Sequence, residues 1–156
     1  MVLVDFAGYP FNMEEYRKVA DEYDMWILED ACHAPGAWFT NSDGEKVYTG
    51  SCRYSDITVF SFHPVKHMTT GEGGMACTNN DKLFEKMSLY RTHGITHESA
   101  LMERQDGPWY YEMVELGYNY RLTDFQAALG CSQLKRARHN VELRRDLVKK
   151  YNEAFK

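Results

Sequence analysis

Residues 55–74 read SDITVFSFHPVKHMTTGEGG. The run Asp56 to Phe62 is rich in β-branched and aromatic residues and alternates in the manner of a strand. His63-Pro64 stops it, because proline has no N–H to give a ladder and pushes the residue before it out of helical geometry. Threonine and glycine in TTGEGG then mark a tight loop, and GMACTN (74–79) reads as the next strand. One lysine, Lys66, is left at the end of a buried strand, beside Phe60, Phe62 and Pro64. Partial desolvation there disfavours the ammonium and makes a neutral, nucleophilic amine accessible.

Working outward, VLVDF (Val2 to Phe6) is a short buried strand and GYPFN its turn. Asn12 with Glu15 gives a capping-box signal for an amphipathic helix to about Tyr23, with Met13, Tyr16, Val19 and Ala20 on its apolar face. MWIL (25–28) is a second strand that ends on Glu29-Asp30. Ala31 to Arg53 is small, polar and glycine-containing, which predicts one helical turn and a hairpin-like excursion around NSDGEK. Asn80 to about Tyr90 is a helix, and residues 92–118 form an ordered, irregular excursion. Thr123 with Gln126 is a second capping-box signal. It opens a long helix marked by Phe125, Leu129, Leu134, Ala137, Val141, Val148, Tyr151 and Phe155. The order of elements predicts an α/β domain with a largely parallel sheet and flanking helices.

Composition narrows the function. The chain has 156 residues, 44% of them hydrophobic and 14% aromatic, which is material for a core and excludes a disordered protein. A net charge of -5 with mixed signs argues against nucleic acid as a partner. The basic run KRARHNVELRRDLVKK reads as the solvated face of the last helix. Four cysteines lie far apart without a C-x-x-C spacing, as expected of reduced thiols. The opening MVLVDFAGYP does not read as a signal peptide, and no apolar run has membrane-spanning length, so a cytoplasmic protein with no membrane partner is expected.

An activated lysine condenses with carbonyls, and the commonest protein use of that chemistry is to hold pyridoxal phosphate. Such a site needs an anion against the pyridine nitrogen. Asp30 stands at the carboxyl end of the second strand, the edge of an α/β sheet where ligands bind. His33, one helical turn on, can hydrogen-bond the ring hydroxyl. Ser61 and the backbone of TTGEGG offer donors for a phosphate. The glycines match neither nucleotide fingerprint. His63 with His67, and His93 with His97, share the four-residue spacing of helical zinc ligands, but Pro64 and Gly94 disfavour a helix through either pair, so no metal is expected.

Four ordered stretches carry a family resemblance: EDACHAPGA, DITVFSFHPVKHMTTGEGGMACTNN, YRTHGI and GYNYRLTDFQAALGCSQL. Together they resemble the DegT/DnrJ/EryC1/StrS sugar-nucleotide aminotransferases, and the likeness runs from about Val2 to the C-terminus. It implies the fold-type I architecture of the aspartate aminotransferase superfamily, pyridoxal 5'-phosphate as cofactor, Lys66 as the Schiff-base lysine and Asp30 as the pyridine-nitrogen partner. It further implies His33 beside the ring hydroxyl, Ser61 at the phosphate, and Asn119 reaching the phosphate of a neighbouring subunit, hence a homodimer. Relatives with histidine at the lysine position perform dehydration, so Lys66 points to transamination; the spacing from SFHP assigns the role to it and not to His67.

DFAGYP, HGITHES and the 107–130 stretch look most like the transaminases of this family that act on a UDP-linked 4-keto-6-deoxy-N-acetylhexosamine, with an amino acid, glutamate, as donor. Family enzymes are more than twice as long. The resemblance therefore implies that residues 1–156 are the central portion of a large domain, without its N-terminal part or the C-terminal small domain. The alternatives are a non-catalytic, dimerising piece and a histidine-rich metal-binding protein.

Overall fold

In chain order the strands and helices are β1 (Val2–Val4), α1 (Met13–Glu22), β2 (Leu28–Asp30), β3 (Trp38–Thr40), β4 (Lys46–Tyr48), β5 (Ile57–Ser61), β6 (Gly74–Cys77), α2 (Asp81–Arg91), β7 (Ile95–Thr96), β8 (Glu112–Met113) and α3 (Asp124–Ala154). They come from a computed structural model that describes residues 1–156. Two compact units result, Met1–Asn79 with Thr123–Lys156, and Asn80–Leu122.

The first unit is built on a four-stranded sheet of order β1-β2-β5-β6. β1 pairs with β2 and β2 with β5 in parallel, so Val4, Asp30 and Val59 stand abreast, whereas β6 returns antiparallel to β5. This is the mostly parallel α/β arrangement expected. The tight β5–β6 return requires glycine at Gly74, where a Cβ would meet the Phe60 carbonyl oxygen at 2.7 Å. NSDGEK does form a hairpin: β3 and β4 pair antiparallel, and Asn41 Oδ1 accepts from the Glu45 N–H at 2.8 Å across the loop.

Leu3, Met13, Ala20 and Ile27 make the buried core, with Phe11, Tyr16, Met25, Phe39 and Tyr54 packed against it. Met13 and Ala20, seven residues apart, place the apolar face of α1 there. A polar clamp holds the same region. Asp56 Oδ2 accepts from the Ile27 N–H at 2.7 Å and from Arg17 Nη1 at 3.0 Å, while Arg17 Nη2 donates to the Met25 carbonyl at 2.9 Å. These bonds explain why β2 begins at Leu28 instead of Met25: the intervening backbone is already committed to α1 and Asp56.

The Asn12–Glu15 signal marks the start of α1, but the Asn12 side chain caps nothing; its Nδ2 donates to Glu15 Oε1 at 3.1 Å. At α3 both halves of the capping box form, with Thr123 and Gln126 bonded reciprocally. Gln126 also donates to the Glu72 carbonyl at 2.9 Å, tying α3 to the loop after Lys66. No residue of α3 is fully buried, and several of its apolar positions stay open, Phe125 at 90% and Tyr151 at 64% exposure. Nor is any helix long and apolar enough to cross a membrane.

In the second unit, Asn80 Oδ1 caps α2 by accepting from the Lys82 and Leu83 N–H groups. The stretch expected to be irregular holds only the two-residue pair β7–β8 and a short 3-10 turn at Ser99–Leu101.

Ile27 is fully buried. Ile27→Ala should therefore lower the free energy of unfolding by about 2–5 kcal/mol, measured by urea titration, as expected when a large core side chain leaves a cavity.

Candidate active site

Parallel pairing brings the carboxyl ends of β1, β2 and β5 to one edge, and the candidate residues follow from it. Asp30 is the last residue of β2 and Ser61 the last of β5. The Cys32 N–H donates to Asp30 Oδ1 at 3.1 Å, which turns the chain after the strand and leaves Oδ2 for a second partner. Ser61 Oγ accepts from the His63 N–H at 3.3 Å, so its own proton remains to be donated.

Lys66 sits on a loop held at its root by the buried Phe62. The Phe62 N–H donates to the Gly73 carbonyl at 2.8 Å, and the Phe62 carbonyl accepts from the Thr70 N–H at 3.0 Å and the Thr69 hydroxyl at 2.9 Å. The Lys66 N–H closes a turn on the His63 carbonyl at 3.0 Å. In TTGEGG, whose backbone is the expected phosphate donor, the threonine hydroxyls are used within the loop: Thr69 serves Phe62, and Thr70 donates to the Glu72 carbonyl at 2.7 Å. They build the loop and are not available to a phosphate.

His33 lies where the chain leaves β2. Its Nδ1 accepts from the Ala7 N–H at 3.4 Å, and Phe6 packs against its ring at 5.6 Å. Gly8 permits this approach through a left-handed φ of +82°, with the His33 carbonyl 3.0 Å from where a Cβ would stand. Asn119 belongs to the second unit, where its backbone bridges Thr92.

Two groups that the sequence reading passed over report on this edge. Burial, joined by the hydrogen bond and charge of Asp30, pushes the Cys32 thiol up to about 11, and Lys66 acts on it in the opposite sense. Cys32 is thus an inert thiol with both Asp30 and Lys66 in its surroundings. Burial also lowers the His67 imidazole, and Arg144, His33 and Lys66 add to that shift, so cationic groups converge there. No cluster of three His, Cys, Asp or Glu side chains gathers in ligating geometry.

Beneath the edge lies a buried polar layer. Glu29 Oε2 accepts from Thr58, from Ser55 at 3.4 Å and from the Gly50 N–H at 3.4 Å. Asp5, at 0% exposure, accepts from the Phe11 N–H at 3.2 Å through Oδ1, while Oδ2 has no partner. Desolvation pushes its carboxyl from the ordinary 3.8 up to about 7; the Phe11 bond opposes this and the nearby Glu29 charge reinforces it.

The mostly parallel α/β sheet with its flanking helices is a fold that solved structures share. Helicobacter pylori PseC, an aminotransferase involved in the biosynthesis of pseudoaminic acid, matches with a TM-score of 0.72 and 36% identity over 88% of this chain and 33% of that one. A putative sugar aminotransferase, Spr1654 from Streptococcus pneumoniae in its PMP form, matches with a TM-score of 0.81 and 27% identity over 99% of this chain and 42% of that one. The fold is that of fold-type I aminotransferases. By its match to the family model over residues 1–156, the chain belongs to the DegT/DnrJ/EryC1/StrS aminotransferase family. The UDP-4-amino-4,6-dideoxy-N-acetyl-beta-L-altrosamine transaminase of Campylobacter jejuni is 40% identical to it over 153 residues, 98% of this chain and 37% of that protein. The chain thus spans less than half the length of the relatives it matches.

The Asp5 carboxyl gives a signed test. Its folded pKa lies above its unfolded value, so its contribution to stability is complete below 3.8 and is lost as pH rises to about 7. Asp5→Asn should remove that loss. In urea melts the stability difference between variant and parent should shift in favour of the variant from pH 4 to pH 8.

Proposed function

We propose that this chain supplies the cofactor edge of a pyridoxal phosphate-dependent enzyme whose full-length form moves an amino group from an amino acid, glutamate, to a UDP-linked 4-keto-6-deoxy-N-acetylhexosamine. The observation that supports the reading is that Asp30 ends β2 and Ser61 ends the neighbouring β5, with the Lys66 loop opening from Phe62 directly after it. Family membership and the transaminase activity for which the Campylobacter jejuni relative is named support the substrate class. The PMP form of the Streptococcus pneumoniae neighbour supports the cofactor.

The side chains fit that cofactor. Lys66 would hold it through the amine, Asp30 through the ring nitrogen, and Ser61 through the phosphate. His33 accepts at Nδ1, so its neutral ring carries hydrogen on Nε2 and can donate to the ring hydroxyl. Asn119 of a second copy would reach the phosphate, making the enzyme a homodimer. When bound, the cofactor supplies the electron sink for a carbanion.

The chain's own residues do the rest. The Asp30 carboxylate keeps a proton on the ring nitrogen, and its tether to the Cys32 N–H fixes the carboxylate plane. Once the donor's amine has taken its place on the cofactor, the freed Lys66 amine would accept the proton from the donor's α-carbon and give it back on the far side of the intervening nitrogen, and would do the reverse for the keto-sugar. High thiol pKa at Cys32 keeps a competing nucleophile protonated beside the amine. We assign residues 1–156 to the central part of the large domain. Four free cysteines suit a reducing, cytoplasmic location.

Incubation with pyridoxal phosphate, borohydride reduction and peptide mass spectrometry test this. Adduct should concentrate on Lys66, vanish in Lys66→Ala, and fall roughly tenfold in Asp30→Asn, the factor carried by about 1.4 kcal/mol of a lost charge-assisted hydrogen bond. Labelling scattered over surface lysines would instead identify a non-catalytic piece.

A further inference from the structure

A cavity of about 340 Å³ opens between the turn after β2 and the C-terminal half of α3. That is within the roughly 300–1,000 Å³ of small-molecule sites. Its walls are small and apolar at Ala7, Gly8, Ala34 and Pro35, with Val141 and Val148 on the helix side. Its polar groups are Arg144, Arg145, His33 and His67, and no carboxylate lines it. Residues 141, 144, 145 and 148 fall on one face of α3 by helical spacing, so both guanidinium groups turn to the same space.

Neither arginine makes an ion pair within the chain, and the one ion pair on α3, Lys149 with Asp146 at 2.9 Å, leaves both free. Two adjacent guanidinium groups repel unless an anion lies between them, and their planar donor forks match phosphate oxygens pairwise. His67 adds a buried Nδ1 with no hydrogen-bond partner. Burial is the main cause that lowers its basicity, and the charges of Arg144, His33 and Lys66 act in the same direction.

We propose that Arg144 and Arg145, facing His67 across the cavity, form a subsite for the diphosphate of a nucleotide-linked substrate. The apolar walls and the small residues Ala7, Gly8 and Ala34 leave room for the group while excluding part of its water, which strengthens each charged contact. The nucleotide's identity rests on the aminotransferase reading above; the demand for a phosphate anion does not.

Calorimetric titration of the chain at low ionic strength with pyrophosphate, UDP, uridine and glutamate separates the sources. Pyrophosphate and UDP should bind and uridine should not. In Arg144→Gln/Arg145→Gln the dissociation constants for both phosphates should rise at least tenfold, and Arg144→Lys/Arg145→Lys should fall between. Circular dichroism verifies that the exposed substitutions leave the fold intact. Borohydride labelling at Lys66 is followed in the same samples, so cofactor capture and anion binding are read separately. Absence of phosphate binding, unchanged constants in the double glutamine variant, or loss of glutamate binding alone would each overturn the subsite.

Discussion

Parallel pairing of β1, β2 and β5 is the constraint on which the remaining structure depends. Once Val4, Asp30 and Val59 stand abreast, β1, β2 and β5 all leave the sheet at the same edge, and Asp5, Asp30 and Ser61 follow there, with the Asp5 N–H donating to the Asp30 carbonyl at 3.0 Å. The same register buries acidic groups. Glu29 is satisfied by Thr58, Ser55 and Gly50, but Asp5 keeps an oxygen without a partner, and its raised pKa is the physical record of that conflict. A carboxyl sheltered from water under a ligand-binding edge is destabilising in its charged form, which is consistent with strain concentrating near functional sites.

Most of the first unit was legible in the sequence because its signals are local. The alternating 56–62 run, the NSDGEK hairpin and the Thr123–Gln126 cap all take the form their residues specify. What escaped was decided by partners distant in sequence. β2 starts late because Asp56 captures the Ile27 N–H across 29 positions, and Asn12 fails as a cap because Glu15 takes its amide. TTGEGG reads as a source of backbone donors, and nothing in its composition shows that the carbonyls of Phe62 and Glu72 claim its threonine hydroxyls.

The candidate site was readable to a similar degree. Asp30, His33, Ser61 and Lys66 are each traceable to a strand end or the turn beyond it, and the structure gathers them in the first unit. Asn119 entered only through the family likeness, and it lies in the other unit. Cys32 and the buried Glu29 layer carry no sequence signal of their own. Arg144 and Arg145 did carry one, since Val141 and Val148 flank them at helical spacing, but a basic run on an exposed helix reads as solvated until the turn at Gly36 is seen opposite, where a Cβ on that glycine would stand 3.6 Å from Val141.

The pinning of Phe62 separates two properties that one lysine has to combine. Its N–H and carbonyl are both fixed, so the Lys66 backbone has little freedom, whereas the Lys66 side chain itself makes no hydrogen bond and is only partly covered. Positional accuracy is thus stored in the main chain and travel in the four-carbon stem. Such an amine can swing between neighbouring atoms of a ligand without the loop moving, so the motion is a rotamer hop on the picosecond-to-nanosecond scale and demands no slower opening of the protein.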